Sequence, residues 1–526
     1  MCLTCRLVQN LTTNIIYLVM SIGNTNQLKA GAALNYIVII LNIFVALFYT
    51  PYMLRMMGQN EYGLYAIVSS VIGYLTVLDL GIGNAIVRYT AKYRAERKIR
   101  EQYEMFGMFF LLYLTIGLIT LLIGCVFYFK VDCLFSDTMS ISELSKARTM
   151  ILIMVLNLAF TFPMSIFGSI ITAYERFVFP KVINIIRILL NTGIMIVLLS
   201  LGYKAVALVV VQTVFNVLTL IINFIYCKRI LQIQIIFSNY NYALLKEVSI
   251  YSLWILLDVV MNQIYWNTGQ FVLGAISGTA AVAVFAVAIQ MESLYMQFST
   301  AISSVFLPKI TGMVSRRNDN KDFSDLFIRT GRIQNIIMSF MLFGFLVFGQ
   351  QFIKLWAGEE YSDAYYMTLA FYFALYVPLI QNVGISILQA RNQMKFRSIL
   401  YICIAIISLV VQIMLARVWG GIGCAIAIAG ALFIGQGLIM NVYYKNKQSL
   451  DITRFWKEIF RMNIVPIMVV IVFLIVRNII GFANTWSNLI ISITIYVVIY
   501  IPLYFFFSMN DDERCLLVKP LFRLFR

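Results

Sequence analysis

About fourteen apolar stretches of membrane-spanning length divide this chain, and nearly all of its Lys and Arg fall on every second connection between them. A bilayer's hydrocarbon core takes roughly 20 apolar residues to cross as a helix, because each backbone N–H and C=O inside it must be satisfied within the helix. The stretches lie near residues 32–54, 64–86, 105–129, 147–173, 182–201, 205–226 and 248–273, then 280–307, 333–355, 366–389, 398–416, 422–444, 462–481 and 488–508. The expected fold class is an all-α, polytopic membrane protein.

Charge sets the orientation. With a cytoplasmic N-terminus, the even-numbered connections carry Arg88, Lys92, Arg94, Arg97, Lys98 and Arg100, then Lys309, Arg316, Arg317, Lys321, Arg329 and Arg332. About 31 of the 40 Lys and Arg then lie inside and about 8 outside, with Arg187 left within a span. The expectation is therefore N-in and C-in. The formal net charge of +17 is spread over short turns that face anionic lipid, so membrane lipids and not nucleic acid are the expected partners.

Composition excludes several chemistries. The chain has no His, hence no imidazole metal ligand, no proton shuttle near neutral pH and no Ser-His-Asp site. Its eight Cys are mostly scattered singly, and the C-x-x-C of Cys2 and Cys5 has no second pair. No metal or cofactor is expected. Residues 1–30 read as a disordered extension in which Met20 is a plausible alternative start, because the polar leader after it runs straight into the first span.

The two halves align at nearly one offset. Gly58 to Ala66, entering span 2, sits over Gly278 to Ala286, entering span 8. Pro163, Ala173 and the elbow Tyr174-Glu-Arg-Phe in span 4 recur as Pro378, Ala390 and Arg391-Asn-Gln-Met in span 10. The turn Gly202 to Ala207 recurs as Gly420 to Ala425. The expected organisation is two parallel six-helix bundles, residues 31–230 and 231–446, followed by an appended helix pair and tail, 447–526.

The stretch Leu54-Arg-Met-Met-Gly-Gln-Asn-Glu-Tyr-Gly-Leu-Tyr-Ala, then Leu78-Asp-Leu-Gly-Ile-Gly-Asn-Ala-Ile-Val-Arg88, together with the elbow Ala173-Tyr-Glu-Arg-Phe, resembles the polysaccharide (O-antigen) flippases. These belong to the multidrug/oligosaccharidyl-lipid/polysaccharide exporter superfamily. The resemblance covers nearly everything from Met20 on and implies a flippase, not an enzyme. Its implied cargo is an undecaprenyl-diphosphate-linked oligosaccharide repeat unit, moved from the cytoplasmic to the periplasmic leaflet of the bacterial inner (plasma) membrane. Polysaccharide assembly proteins are candidate partners.

Ionisable residues within spans are the site candidates, since each needs a partner or a wet cavity. For a diphosphate, Arg offers a planar fork that pairs two oxygens at once. Arg187 lies inside span 5, Arg88 at the inner mouth of span 2 and Arg55 at the outer end of span 1. For coupling to H+ or Na+, the candidates are Asp258 in span 7, Glu292 in span 8 and Asp79 in span 2, each with a competing structural role. For Asp79, beside Gly81 and Gly83, acceptance of N–H groups freed where the helix loosens is the favoured role. Pro163 and Pro378 would supply matched helix bends in an alternating-access cycle.

Three rivals remain. A peptidoglycan-precursor flippase shares the carrier lipid. A cation-coupled multidrug exporter of the same superfamily would tend to place an acid in span 1, where this chain has only Asn35 and Asn42. A membrane glycosyltransferase or repeat-unit polymerase needs a sizeable extramembrane loop, and the longest external one, residues 130–146, is short and lacks His.

Overall fold

The computed structural model describes residues 24–238, 242–303, 306, 310, 312–314, 319–480 and 484–515; the readings made for Cys2, Cys5, Met20, Lys309, Arg316 and Arg317 lie outside them. The described chain is helical, without strands, as expected. It divides into two compact units, Met1–Gln263 and Ile264–Arg526.

In the first unit, α1 (Asn24–Phe44) passes through a π-helical turn, Val45–Tyr49, into α2 (Thr50–Met57). Pro51 stands in the first turn of α2, and its missing N–H and ring widen the preceding turn. Helices α3 (Gln59–Thr76) and α4 (Ile82–Ala95) form one apolar crossing interrupted by the 3-10 turn Val77–Asp79 and by Leu80 and Gly81, both at positive φ. There follow α5 (Ile99–Phe135), α6 (Ile141–Ala173), α7 (Val178–Ser200) and α8 (Ala205–Arg229). Ser140 starts α6 with a reciprocal capping box to Glu143.

Helix α6 packs on both α5 and α8. Pro163 cannot donate to the carbonyl of Ala159 one turn earlier, and Gly117 of α5 lies against that oxygen. A Cβ at Gly117 would come within 2.7 Å of it, so the close approach of the two helices needs glycine.

Helix α9 (Tyr242–Trp266) follows, and its Leu244 and Val248 join the first unit's core with Phe179, Tyr226 and Ile233. The second unit continues with α10 (Thr268–Ile276), α11 (Gly278–Ser303), α12 (Asn320–Trp356), α13 (Ala364–Ile380) and α14 (Asn382–Ala390). It ends with α15 (Lys395–Leu432), α16 (Met440–Asn446), α17 (Ile452–Ile480) and α18 (Trp486–Phe507).

Twelve helices among the described residues are long and apolar enough to cross a membrane. One, Lys395–Asn446, runs to 52 residues and is two crossings, because Gly420 (φ 55°, ψ −132°) turns it back on itself. Ser408 Oγ donates to Ala427 O across that hairpin. With α9, an apolar helix of 25 residues described only in part, the crossings match the fourteen read from the sequence.

The backbone repeats where the sequence does. Left-handed residues pair at Gly58 and Gly278, Glu175 and Asn392, Gly202 and Gly420, and Gln232 and Ser449. At the elbows the bonding is the same: Glu175 and Arg176 donate to Thr172 and Ile171, and Asn392 and Gln393 to Gln389 and Leu388. The Gln232 and Ser449 turns close the two repeats and lack an obvious sequence signal.

The appended pair, α17 and α18, is fastened to α12. Arg332 donates from Nε and Nη2 to the two carboxylate oxygens of Glu513 (2.6 and 2.9 Å), and from Nη1 to Glu458 (2.6 Å). The Arg332 and Glu513 side chains are 5% and 4% exposed, so this residue, counted above as a loop charge, is a buried fork. Asn335 extends the seam, donating to Tyr504 OH at 3.1 Å, while Tyr376 OH donates to the oxygen of Asn335.

Two stability predictions follow from these contacts. Gly117→Ala should lose about 1–3 kcal/mol, whereas Gly193→Ala, whose Cβ meets open space, should be near neutral; thermal unfolding of the purified protein compares them. Glu513→Ala should cost about 2–3 kcal/mol by removing the carboxylate that the buried Nε and Nη2 of Arg332 share and leaving Glu458 as its counter-ion, and Glu458→Ala about 1 kcal/mol because Glu458 is 33% exposed; limited proteolysis of the 447–515 segment reads both.

Candidate functional site

Helix α7 carries Lys181, Asn184, Arg187 and Asn191 at steps of three and four residues, which puts them on one face of an otherwise apolar helix. The helix begins at Val178, earlier than the expected 182, so Arg187 stands about 14 Å along a helix of 23 residues, near its middle. Helix α6 adds Asn157 and Thr161 one turn apart, and α8 adds Gln212 and Asn216. These helices line a partly open cavity of ≈ 310 Å³ bounded by Asn157, Arg187, Ile188, Asn191, Gln212, Phe215 and Asn216, all within the first unit.

The amides hold one another in place. Asn216 Nδ2 donates to Asn157 Oδ1 (2.9 Å) and Thr161 Oγ1 (2.8 Å), and the Gln212 amide bonds Tyr65 OH of α3 at 3.1 Å. Asn191 Oδ1 is buried without a partner among the described residues. Arg187 is half-buried and donates from Nη2 to Asn184 Oδ1 at 2.9 Å. No carboxylate among the described residues forms an ion pair with it. Six residues earlier, Lys181 Nζ donates to Asn35 Oδ1 of α1 at 2.7 Å, so that cation too meets a neutral oxygen. A guanidinium held in a span by neutral groups alone is stabilised by any anion that can reach it.

The other expected site residues are placed elsewhere. Arg88 is exposed, with its guanidinium 5.7 Å from the Tyr89 ring centroid, and Arg55 is exposed in the last turn of α2; neither lines the cavity. Asp79 sits in the break between α3 and α4, where its carboxylate accepts from Tyr113 OH (3.0 Å) and from the backbone of Gly81. Glu292 of α11 is 3% exposed, and its Oε1 has no hydrogen-bond partner among the described residues. Nearby, Tyr372 of α13 donates to Met291 O at 3.1 Å. The side chain of Asp258 lies outside the described residues, although its backbone belongs to α9.

The two prolines have different surroundings. Pro163 lies within α6, which continues past it, whereas Pro378 is followed within a turn by the end of α13 at Ile380. The carbonyl of Leu379 there accepts from Ser299 Oγ at 2.9 Å, and the Gln334 amide donates to Leu379 O and Ile380 O in the orientation that satisfies both of its ends.

Of the cavity's polar lining, sequence reasoning singled out only Arg187. Asn157, Asn191, Gln212 and Asn216 are neutral, and a search for charge passes over them. Their signal was the recurrence of amides at helical spacing in three apolar helices of one bundle.

Three similarities bear on this architecture. The membrane protein EpsK of Bacillus subtilis (strain 168) is 20% identical over 497 residues, covering 92% of this chain and 96% of that one. A candidate O-antigen transporter of Shigella flexneri is 19% identical over 385 residues, covering 72% and 88%. The solved structure of the lipid II flippase MurJ in an inward closed conformation superposes with a TM-score of 0.67 at 17% identity, covering 94% of this chain and 99% of that one, which shows a shared fold. The family described as polysaccharide biosynthesis protein matches residues 28–314, more than half the chain, and this multi-pass membrane protein belongs to that family.

Proposed function

We propose that this chain is a transporter without covalent chemistry that moves an undecaprenyl-diphosphate-linked polysaccharide repeat unit from the cytoplasmic to the periplasmic leaflet of the bacterial inner membrane, with both termini cytoplasmic. The observation that carries the reading is Arg187, mid-span, facing an amide-lined cavity with no carboxylate among the described residues paired to it. A diphosphate supplies the missing charge, and the amides of Asn157, Asn191, Gln212 and Asn216 offer donors and acceptors suited to sugar hydroxyls. The polyprenyl chain stays in lipid while the polar head crosses by alternating access.

A cationic multidrug substrate fits this cavity poorly, because Arg187 and Lys181 would repel it and α1 offers Asn35 and Asn42 in place of an acid. A peptidoglycan-precursor flippase would present the same diphosphate, so the accumulated intermediate decides between the two cargoes.

In a deletion strain complemented with variants, Arg187→Ala should cut surface polysaccharide about 10- to 100-fold at normal protein level while lipid-linked repeat units accumulate by mass spectrometry, and Arg187→Lys should be milder. Asn191→Asp should mimic the loss, by giving the guanidinium an internal counter-ion. Wild-type polysaccharide in both variants removes Arg187 from the cargo path. Accumulated peptidoglycan precursor instead of the repeat unit would reassign the cargo.

Coupling to H+ or Na+ falls to Glu292 and Asp258 in this scheme. Glu292→Gln and Asp258→Asn should each transport at a rate that no longer responds to collapse of the proton or sodium gradient. A response equal to that of the wild type assigns both carboxyls a structural role.

A further inference from the structure

The two repeats share an aromatic stack whose surroundings differ. In the first unit Phe179 and Tyr226 stack with centroids 3.9 Å apart at 23°, and in the second unit Phe396 and Tyr443 stack at 4.2 Å and 8°. Both pairs bridge the helix after the elbow turn and the end of the last helix of the repeat, the positions fixed by the matching left-handed residues Glu175 and Asn392, and Gln232 and Ser449. The same backbone therefore frames both places.

In the first unit that place is closed and apolar. Phe179 is 1% exposed, Val178 and Ile230 flank the stack, and the Gln27 side chain of α1 accepts from Val178 N at 3.3 Å. In the second unit it is open: Phe396 is 41% exposed, and a cavity of ≈ 550 Å³ lies over the stack. The residues that take the places of Val178 and Ile230 are Lys395 and Lys447, both exposed on its rim. Neither lysine forms an ion pair with a carboxylate among the described residues. The floor is polar and fixed: buried Gln448 donates from Nε2 to Gln393 Oε1 (2.7 Å) and accepts from Arg391 Nη1 (3.0 Å). Ile399, one turn beyond Lys395, is exposed beside Phe396 and continues an apolar wall along α15.

From this asymmetry we infer that the second unit carries a binding site for the phosphate headgroup of an anionic membrane lipid, held between Lys395 and Lys447 over the Gln393–Gln448 floor, with an acyl chain along Phe396 and Ile399. Two lysines at the end of membrane-crossing helices supply the charge, and the adjoining aromatic and aliphatic faces match the hydrocarbon that a free phosphate lacks. The site is independent of the Arg187 cavity, and of whatever cargo that cavity takes.

The full-length protein in nanodiscs of phosphatidylcholine, titrated with phosphatidylglycerol and read by native mass spectrometry, tests the site. Lys395→Ala/Lys447→Ala should weaken phosphatidylglycerol binding about thirtyfold, Lys395→Arg/Lys447→Arg should keep it within threefold, and Lys98→Ala in the first unit should leave it unchanged. Thermal unfolding identifies any variant that fails to fold, and Phe396→Ala, which leaves both lysines, should loosen binding by losing the acyl contact alone. The proposal is overturned by a folded double alanine variant that binds phosphatidylglycerol like the wild type. It is equally overturned if soluble pyrophosphate displaces the lipid completely, which would make the site one for diphosphate and not for a lipid.

Discussion

Everything in this protein follows from hydrocarbon's refusal to hydrogen-bond. A polar group inside a span must find its partner in the protein, and the helices meet that demand for the backbone. Where the helix is broken, a side chain or carbonyl is recruited nearby: Asp79 accepts at the interruption between α3 and α4, and Ser299 serves the carbonyl of Leu379 at the end of α13. Pro163 releases the carbonyl of Ala159, against which Gly117 allows α5 to pack closely. Interruptions that would be faults elsewhere are here contact points between helices.

The same constraint separates structural from candidate functional charge. Arg332 and Arg187 are both arginines in helices that cross the membrane. Arg332 meets Glu513 with a two-pronged fork and Glu458 with its third nitrogen, so its charge is spent on fastening the appended helix pair. Among the described residues, Arg187 donates to the oxygen of Asn184 alone. A guanidinium that the fold leaves without a carboxylate is where an anionic cargo gains most, and the surrounding amides keep the cavity polar whether or not a cargo is present.

Much of the architecture was legible because periodic hydropathy, glycine-rich turns and proline positions are written locally. The pairs Gly58 with Gly278 and Gly202 with Gly420 were visible in the sequence as repeated turns, and each adopts the left-handed backbone that glycine favours. Gln232 and Ser449 adopt it without glycine, which is why the repeats' closing turns were not. Arg332 read as a loop charge because its partners, Glu458 and Glu513, lie more than a hundred residues away. Arg187 was legible as a charge out of place. The amides around it were less so, since their spacing marks a polar stripe on each of three apolar helices but not that the three stripes face one another until the helices are packed together.

In the proposed transport cycle the cargo's phosphate enters the first unit beside Arg187. With undecaprenyl diphosphate bound to the purified protein, its native cysteines replaced by serine, a nitroxide on Ile194→Cys, an exposed position two turns along α7 from Arg187 and on the same helix face, should broaden the 31P resonance of the ligand. The same label on Val410→Cys, exposed on α15 of the second unit, should broaden it far less. Equal broadening from both positions, or stronger broadening from Val410→Cys, would contradict the account.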